Sequence, residues 1–485
     1  MVGVTAPSPV TPVPPADLPG TLGALRAAGH AYRTVKQELR DNLLARMRSG
    51  ADRFPGIVGY DDTVLPEVER ALLAGHDMVL LGERGQGKTR LIRSLAGLLD
   101  EWTPVIAGSV LNEHPLHPLT PASRALVAEA GDDLPVAWLH RSMRYGEKLA
   151  TPDTSVGDLI GDVDPIRVAQ GRTLGDPETI HFGLVPRTNR GIFAVNELPD
   201  LAERIQVALL NVLEERDIQV RGYQLRLPLD LFLVASANPE DYTNRGRIIT
   251  PLKDRFGVEV RTHYPADLDL ELALIRQEAD PVAEVPEHVL EVLARFARAV
   301  RESPSVDPRS GVSARFAIAA TETVAAAALR RAGLLAAGAD GGRPEAPVAR
   351  VGDAVSVTST LRGKVEFESG EEGREVEILG HLLRTATAET FRARLAGLDL
   401  SGFTALVDED AVIETGELVS SAELLRQVGT VPGLAKALDR LGLGDAPTPE
   451  QAAAGVEFVL EGLHLTRRLG KDVTDSGRTR YGGRA

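Results

Sequence analysis

The chain predicts an α/β domain built on a parallel sheet, followed by an all-helical domain and a mainly helical C-terminal region. Three observations carry this. Short, apolar, turn-bounded runs at Met78 to Leu81, Val105 to Ala107, Ile192 to Val195 and Leu231 to Ala235 alternate with helical patterns, a rhythm that builds parallel sheets flanked by helices. From Asp267 to Ala337 the pattern is helical throughout, Ala-rich from Ala317 to Leu335, with no strand. The 485 residues exceed what one core normally serves, so two or three folding units are expected.

Taken in order, residues 1–20 hold Pro7, Pro9, Pro12, Pro14, Pro15 and Pro19, a spacing that stops a helix from propagating and predicts a disordered lead. Over 21–50, Leu25, Ala28, Tyr32, Val35, Leu39, Leu43 and Met47 recur three to four apart, predicting an N-terminal docking helix with one apolar stripe. Residues 51–264 form the α/β domain and 265–337 the helical domain. Residues 338–350 have a linker composition of Gly, Pro and polar residues. In 351–470, Ala354 to Glu368 alternates in strand fashion, and Val376 to Leu395, Ser421 to Leu441 and Glu450 to Leu469 read as amphipathic helices. Residues 471–485 are expected to be a frayed, flexible tail.

Composition removes several function classes. With 43% apolar and 25% charged residues the chain is globular. It has no cysteine, hence no disulfide, thiolate nucleophile or Cys-ligated metal. Sixty-nine acidic against 54 basic residues give a net charge of −15, and only 4% of residues are aromatic, which disfavours nucleic acid as a partner. No apolar run approaches the roughly 18–20 residues that span a bilayer, which excludes membrane insertion. The first basic residue is Arg26, so the charged start of a secretory signal is missing and the expected location is cytoplasmic.

The chemistry concentrates in three strand ends. Met78 to Leu81 runs into Gly82-Glu83-Arg84-Gly85-Gln86-Gly87-Lys88-Thr89-Arg90, followed by Leu91, Ile92, Leu95 and Leu98 at helical spacing. Strand, glycine-rich loop and helix in that order form the context of a phosphate-binding loop. The glycines let backbone N–H groups face inward, Lys88 reaches terminal phosphates, and Thr89 offers a hydroxyl to Mg²⁺. A second strand, Gly191 to Val195, ends in Asn196-Glu197; acidic groups there hold Mg²⁺ and polarise attacking water, which makes Glu197 the candidate base. An Asp is usual at position 196, and the amide lacks its charge. A third strand, Leu231 to Ala235, leads to Asn238-Pro239-Glu240, where Asn238 can orient the water or simply open a turn.

These residues, with Ile57-Val58-Gly59 and Pro251-Leu252-Lys253-Asp254-Arg255-Phe256, resemble the AAA+ ATPases, and among them the magnesium-chelatase I-subunit and MoxR-like branch, over about residues 50–335. The resemblance implies ATP and Mg²⁺ as cofactors. It makes Lys88 and Thr89 Walker A residues, Glu197 the Walker B glutamate, Asn238 sensor one, Arg255 an arginine finger acting on a neighbouring subunit, and Arg315 in Gly311-Val312-Ser313-Ala314-Arg315-Phe316 sensor two. It makes Asn196 an Mg²⁺ position with Thr89, and the helical domain a lid. Arg255 also suits an ion pair with Asp254, and Arg245 and Arg247 are nearby alternatives.

Residues 154–189 resemble the branch's insertion. Asp217 to Leu229, with Ile218, Val220, Tyr223 and Leu225 alternating around Gly222, resembles its hairpin or forms an ordinary sheet edge. His114 and His117, with Glu113, have metal-compatible spacing, but Pro115 and Pro118 favour a loop without metal. The run Glu366 to Glu377 reads as a solvated face.

The resemblance implies an ATP-driven remodelling motor subunit in a homo-oligomeric ring, a hexamer, acting with a von Willebrand A domain protein. Two alternatives stay open: a true chelatase subunit for Mg²⁺ insertion into protoporphyrin, and an ATP-gated scaffold with negligible turnover because of Asn196. A DNA motor or transcription activator is disfavoured by the charge and by the missing Gly-Ala-Phe-Thr-Gly-Ala signature.

Overall fold

A computed structural model of the chain describes residues 12–164, 179–214, 217–220, 223–239, 247–307, 311–337, 345–408, 412–473 and 478–482. The chain divides into two compact units, residues 1–83 with 87–263, and residues 84–86 with 264–485.

The strands in chain order are β1 (Met78–Leu81), β2 (Trp102–Ile106), β3 (Val136–His140), β4 (Tyr145–Leu149), β5 (Gly161–Val163), β6 (Ile180–Phe182), β7 (Gly191–Asn196), β8 (Asp217–Val220), β9 (Tyr223–Arg226), β10 (Leu231–Ala237) and β11 (Val258–Arg261) in the first unit. The second unit holds β12 (Ile413–Thr415), β13 (Lys471–Val473) and β14 (Thr479–Tyr481).

The first unit is built on a five-stranded sheet in the order β11-β1-β10-β7-β4, all of whose neighbouring pairs are parallel. Its central strands are apolar on both faces, as a sheet covered on both sides requires. Val79, Phe193, Val195 and Leu233 join one core, and Met78, Leu80, Ile192, Ala194 and Val234 the other. β2 is a strand as expected, but it pairs antiparallel with β3 in a separate two-stranded sheet. The edge strands β4 and β11 carry no apolar run, because an edge strand needs burial on fewer sides.

The single helix expected over 21–50 is two helices, Leu22–Ala27 and Val35–Ser49. Gly29 takes φ +70°, ending the first, and Thr34 and Gln37 form a reciprocal capping box that starts the second. β8 and β9 pair as an antiparallel hairpin, Asp217 opposite Arg226 and Val220 opposite Tyr223; Gly222 lies outside the described residues. Of the insertion, β5 pairs with β6, and 165–178 lie outside the described residues.

In the second unit the helices Leu268–Glu278, Glu287–Glu302 and Ala314–Ala337 follow the expected helical stretch. One core contains Val292, Phe296, Phe316 and Val324 together with Val357, Leu379, Phe403, Phe458 and Tyr481, so packing is continuous across the expected linker. Residues 338–344 of that linker lie outside the described residues. The rest is docked: Val348, Ala349 and Arg350 are buried, and Ala349 N–H donates to the Glu284 carbonyl at 2.8 Å.

Two further expectations give way here. Ala354 to Glu368 is not a strand but short helical turns, Val351–Val355, Ser356–Thr360 and Arg362–Lys364. Its buried apolar residues, Ala354, Val357, Leu361 and Val365, are spaced three to four apart, the helical period. The tail is not frayed throughout, since β14 pairs with both β12 and β13 and buries Tyr481. Among the described residues no helix is long and apolar enough to cross a membrane.

Candidate nucleotide-binding site

The loop after β1 is held at its base by the Gly82 N–H, which donates to the Ala237 carbonyl at the end of β10 at 3.1 Å. Gly85 and Gly87 both take φ +78°, a left-handed conformation that L side chains adopt at a cost. Such a turn lets neighbouring N–H groups converge, as in an anion-binding nest, and Gly87 caps the helix Lys88–Ser94. Lys88 is only 6% exposed; its Nζ donates to the carbonyls of Gly82 and, at 2.8 Å, Glu83. Thr89 is half-buried beside it, while Arg84 and Arg90 are exposed and Glu83 and Gln86 half-exposed. Arg90 Nε donates to the Gly56 carbonyl at 3.0 Å, bracing the loop from outside.

Because β1, β10 and β7 run parallel and in register, their C-terminal ends reach the same sheet edge, where ligands of such sheets bind. Asn196 closes β7 and is 7% exposed. Its Oδ1 accepts from Ser236 Oγ at 3.3 Å and its Nδ2 donates to Glu147 Oε1 at 2.6 Å. Glu197 follows in a left-handed conformation, φ 56° and ψ 48°, which is unusual for a non-glycine residue and concentrates at functional sites. Its backbone N–H donates to Ser236 Oγ at 3.2 Å. The same serine thus links the Asn196 side chain to the turn that carries Glu197.

Asn238 lies just past β10, 3% exposed. Among the described residues its Oδ1 is buried without a hydrogen-bond partner, an arrangement that costs free energy unless a ligand or water completes it. A nest-like turn, a buried ammonium, a half-buried hydroxyl and an unsatisfied buried amide at one sheet edge fit a Mg²⁺–nucleotide in size of charge and in donor set.

Lys88, Thr89, Asn196, Glu197 and Asn238 therefore lie at the same edge of the sheet. Arg255 ends the helix Thr250–Arg255 and is exposed. Arg247 is exposed, with its carbonyl accepting from Gln206 Nε2 at 3.0 Å; Arg245 and Glu240 lie outside the described residues. Arg315 sits exposed in the first turn of the helix Ala314–Ala337, in the second unit.

Glu147 went unseen in the sequence. It sits on β4, and the Arg93 guanidinium, donating from Nε at 2.8 Å and Nη2 at 2.9 Å, holds its carboxyl below the usual range. No local motif marks it, because its partners come from 49 and 54 positions away.

The histidine pair is occupied by the protein itself. His114 Nδ1 accepts from the Leu116 N–H at 3.0 Å, which leaves the ring proton on Nε2, 3.2 Å from His30 Nε2. His117 stacks on Tyr32 at 4.6 Å. Glu113 accepts from the backbone N–H groups of Leu119 and Thr120, both at 2.7 Å.

Comparison with known proteins agrees with this geometry. No family model matches the chain. Over 365 residues it is 29% identical to the magnesium-chelatase 38 kDa subunit of Rhodobacter capsulatus, covering 73% of this chain and 91% of that protein. Over 233 residues it is 28% identical to the magnesium-chelatase subunit ChlI of Nostoc sp., covering 47% of this chain and 58% of that protein.

The chain resembles the magnesium-chelatase I subunits of the AAA+ class.

This chelatase-I-like chain spans only 58% and 51% of the length of the Nostoc protein and of chloroplastic ChlI-1 of Arabidopsis thaliana. A solved BchI–BchD complex of magnesium chelatase is 24% identical with a TM-score of 0.35, covering 67% of this chain and 98% of that chain.

Proposed function

We propose that the chain binds and hydrolyses Mg²⁺–ATP as the motor subunit of a ring, a hexamer by resemblance, that remodels a partner carrying a von Willebrand A domain. The observation that carries this reading is the convergence of Lys88, Thr89, Asn196, Glu197 and Asn238 on one sheet edge, with the Asn238 acceptor unsatisfied. Mg²⁺–ATP supplies the phosphoanhydride and the neutralising cation. The nest and Lys88 hold the phosphates, Thr89 and Asn196 face the cation, Glu197 takes a proton from water, and Asn238 orients that water. Arg255 from a neighbouring copy, and Arg315, place planar cations against phosphoryl charge. The resemblance gives a narrower version, Mg²⁺ insertion into protoporphyrin, and the relatives' names say magnesium chelatase. One observation favours a second reading, a nucleotide-gated scaffold: the group at position 196 is a neutral amide.

Equilibrium binding of a fluorescent ATP analogue tests the reading. Lys88→Ala removes a charge-assisted contact worth about 1.5–3 kcal/mol, so affinity falls about 10- to 100-fold. A wild-type chain that does not bind the analogue, or binds it as well without Lys88, contradicts the proposal.

A further inference from the structure

The acid that a Mg²⁺ corner needs is present, on a different strand. Asn196 is the register partner of Leu149 on β4, and Glu147, two residues earlier, shares Leu149's face of the strand. Nδ2 of Asn196 donates to Glu147 Oε1 at 2.6 Å, while Oδ1 accepts from Ser236 Oγ. Only an NH₂ can face a carboxylate at that distance, so the contact fixes which end of the amide points where. Glu147 also accepts from Tyr145 Oη at 3.1 Å and from both Arg93 nitrogens. Arg93 lies four residues beyond Thr89, on the same face of the helix Lys88–Ser94. The Arg93–Glu147 pair therefore ties this helix to β4.

We propose that Glu147 carries the acidic charge of this corner in place of an aspartate at position 196, acting as a positioning residue through the Asn196 amide. The carboxylate orients the amide and polarises it, so that Oδ1 is presented as a fixed, electron-rich oxygen. This rests on the Mg²⁺–ATP reading and adds to it that acid and amide have exchanged strands.

The exchange has a consequence that an isolated asparagine would not have. Aspartate at 196 would set a second carboxylate directly against Glu147, where no amide N–H is left to donate to it and like charges repel. The swapped pair, Glu147→Gln with Asn196→Asp, restores one acid and one amide.

Two readouts on the full chain test this. In the nucleotide-free protein at pH 8, Asn196→Asp should melt lower than wild type, and Glu147→Gln/Asn196→Asp should recover the wild-type melting temperature. In titrations of fluorescent ADP with and without Mg²⁺, Glu147→Gln should lose about tenfold of the Mg²⁺-dependent gain in affinity while keeping its Mg²⁺-free affinity, and the swap should regain it. An Asn196→Asp chain as stable as wild type at pH 8, or a Glu147→Gln chain with undiminished Mg²⁺ dependence, overturns the proposal. Wild type that fails to bind the nucleotide overturns the functional reading beneath it.

Discussion

Asn196 and Asn238 are both buried amides at the same sheet edge, yet they are satisfied differently. The first has both ends engaged, by Glu147 and Ser236; the second keeps a bare Oδ1. Asn196 is thus held in one orientation while its oxygen keeps a second lone pair, and the bare Oδ1 of Asn238 is a receptor for ligand or water. Burial also tunes single residues elsewhere. His288 is fully buried, 5.0 Å from the Phe458 ring, and burial pushes its pKa from 6.5 down to about 4. The unfolded chain then binds this proton first as pH falls, so the stability is complete above about 6.5 and is lost toward pH 4. Urea denaturation of His288→Leu against wild type should show a shallower stability loss between pH 6.5 and 4; equal slopes would assign the acid sensitivity elsewhere. The turn after β1 was legible because its glycines, Lys88 and Thr89 are contiguous in the sequence. Glu147 was not, since its role comes from strand pairing between residues far apart in sequence.

At the level of elements, the helix Val35–Ser49 is tied to the first unit by a buried ion pair. Arg144 is 0% exposed and donates to both Glu38 oxygens, at 2.7 and 2.6 Å, and to the Arg190 carbonyl at 2.8 Å. Breaking such a pair strands a charge, costing about 3–5 kcal/mol, whereas replacing both members by apolar groups costs far less. Thermal denaturation should therefore rank Glu38→Leu well below Glu38→Leu/Arg144→Met; the reverse order would show the pair itself to be the stabilising feature. Element type was legible where burial is extensive, as in β1, β7, β10 and the helix Ala314–Ala337. It failed at Ala354 to Glu368, where polar residues between Ala354, Val357, Leu361 and Val365 mimic alternation. It failed again at residues 471–485, because the three residues of β14 gain their order from β12 and β13 and carry little local signal.

At the scale of the whole molecule, the first unit supplies the nucleotide-facing edge, and the second is one continuous helical core closed by a small sheet. The expectation of separate lid and C-terminal domains misjudged how apolar positions in 265–337 and 351–470 share that core, which periodicity within either stretch does not reveal. The exposed Arg255 makes the central claim one about assembly, because a finger acting in trans works only between copies. Phosphate release from Mg²⁺–ATP, followed as a function of protein concentration with Glu197→Gln and Arg255→Ala alongside, tests this most directly. Specific activity that rises with concentration and is lost in both variants is the expected result; measurable turnover that is independent of concentration, or that survives either substitution, would contradict a hydrolytic ring.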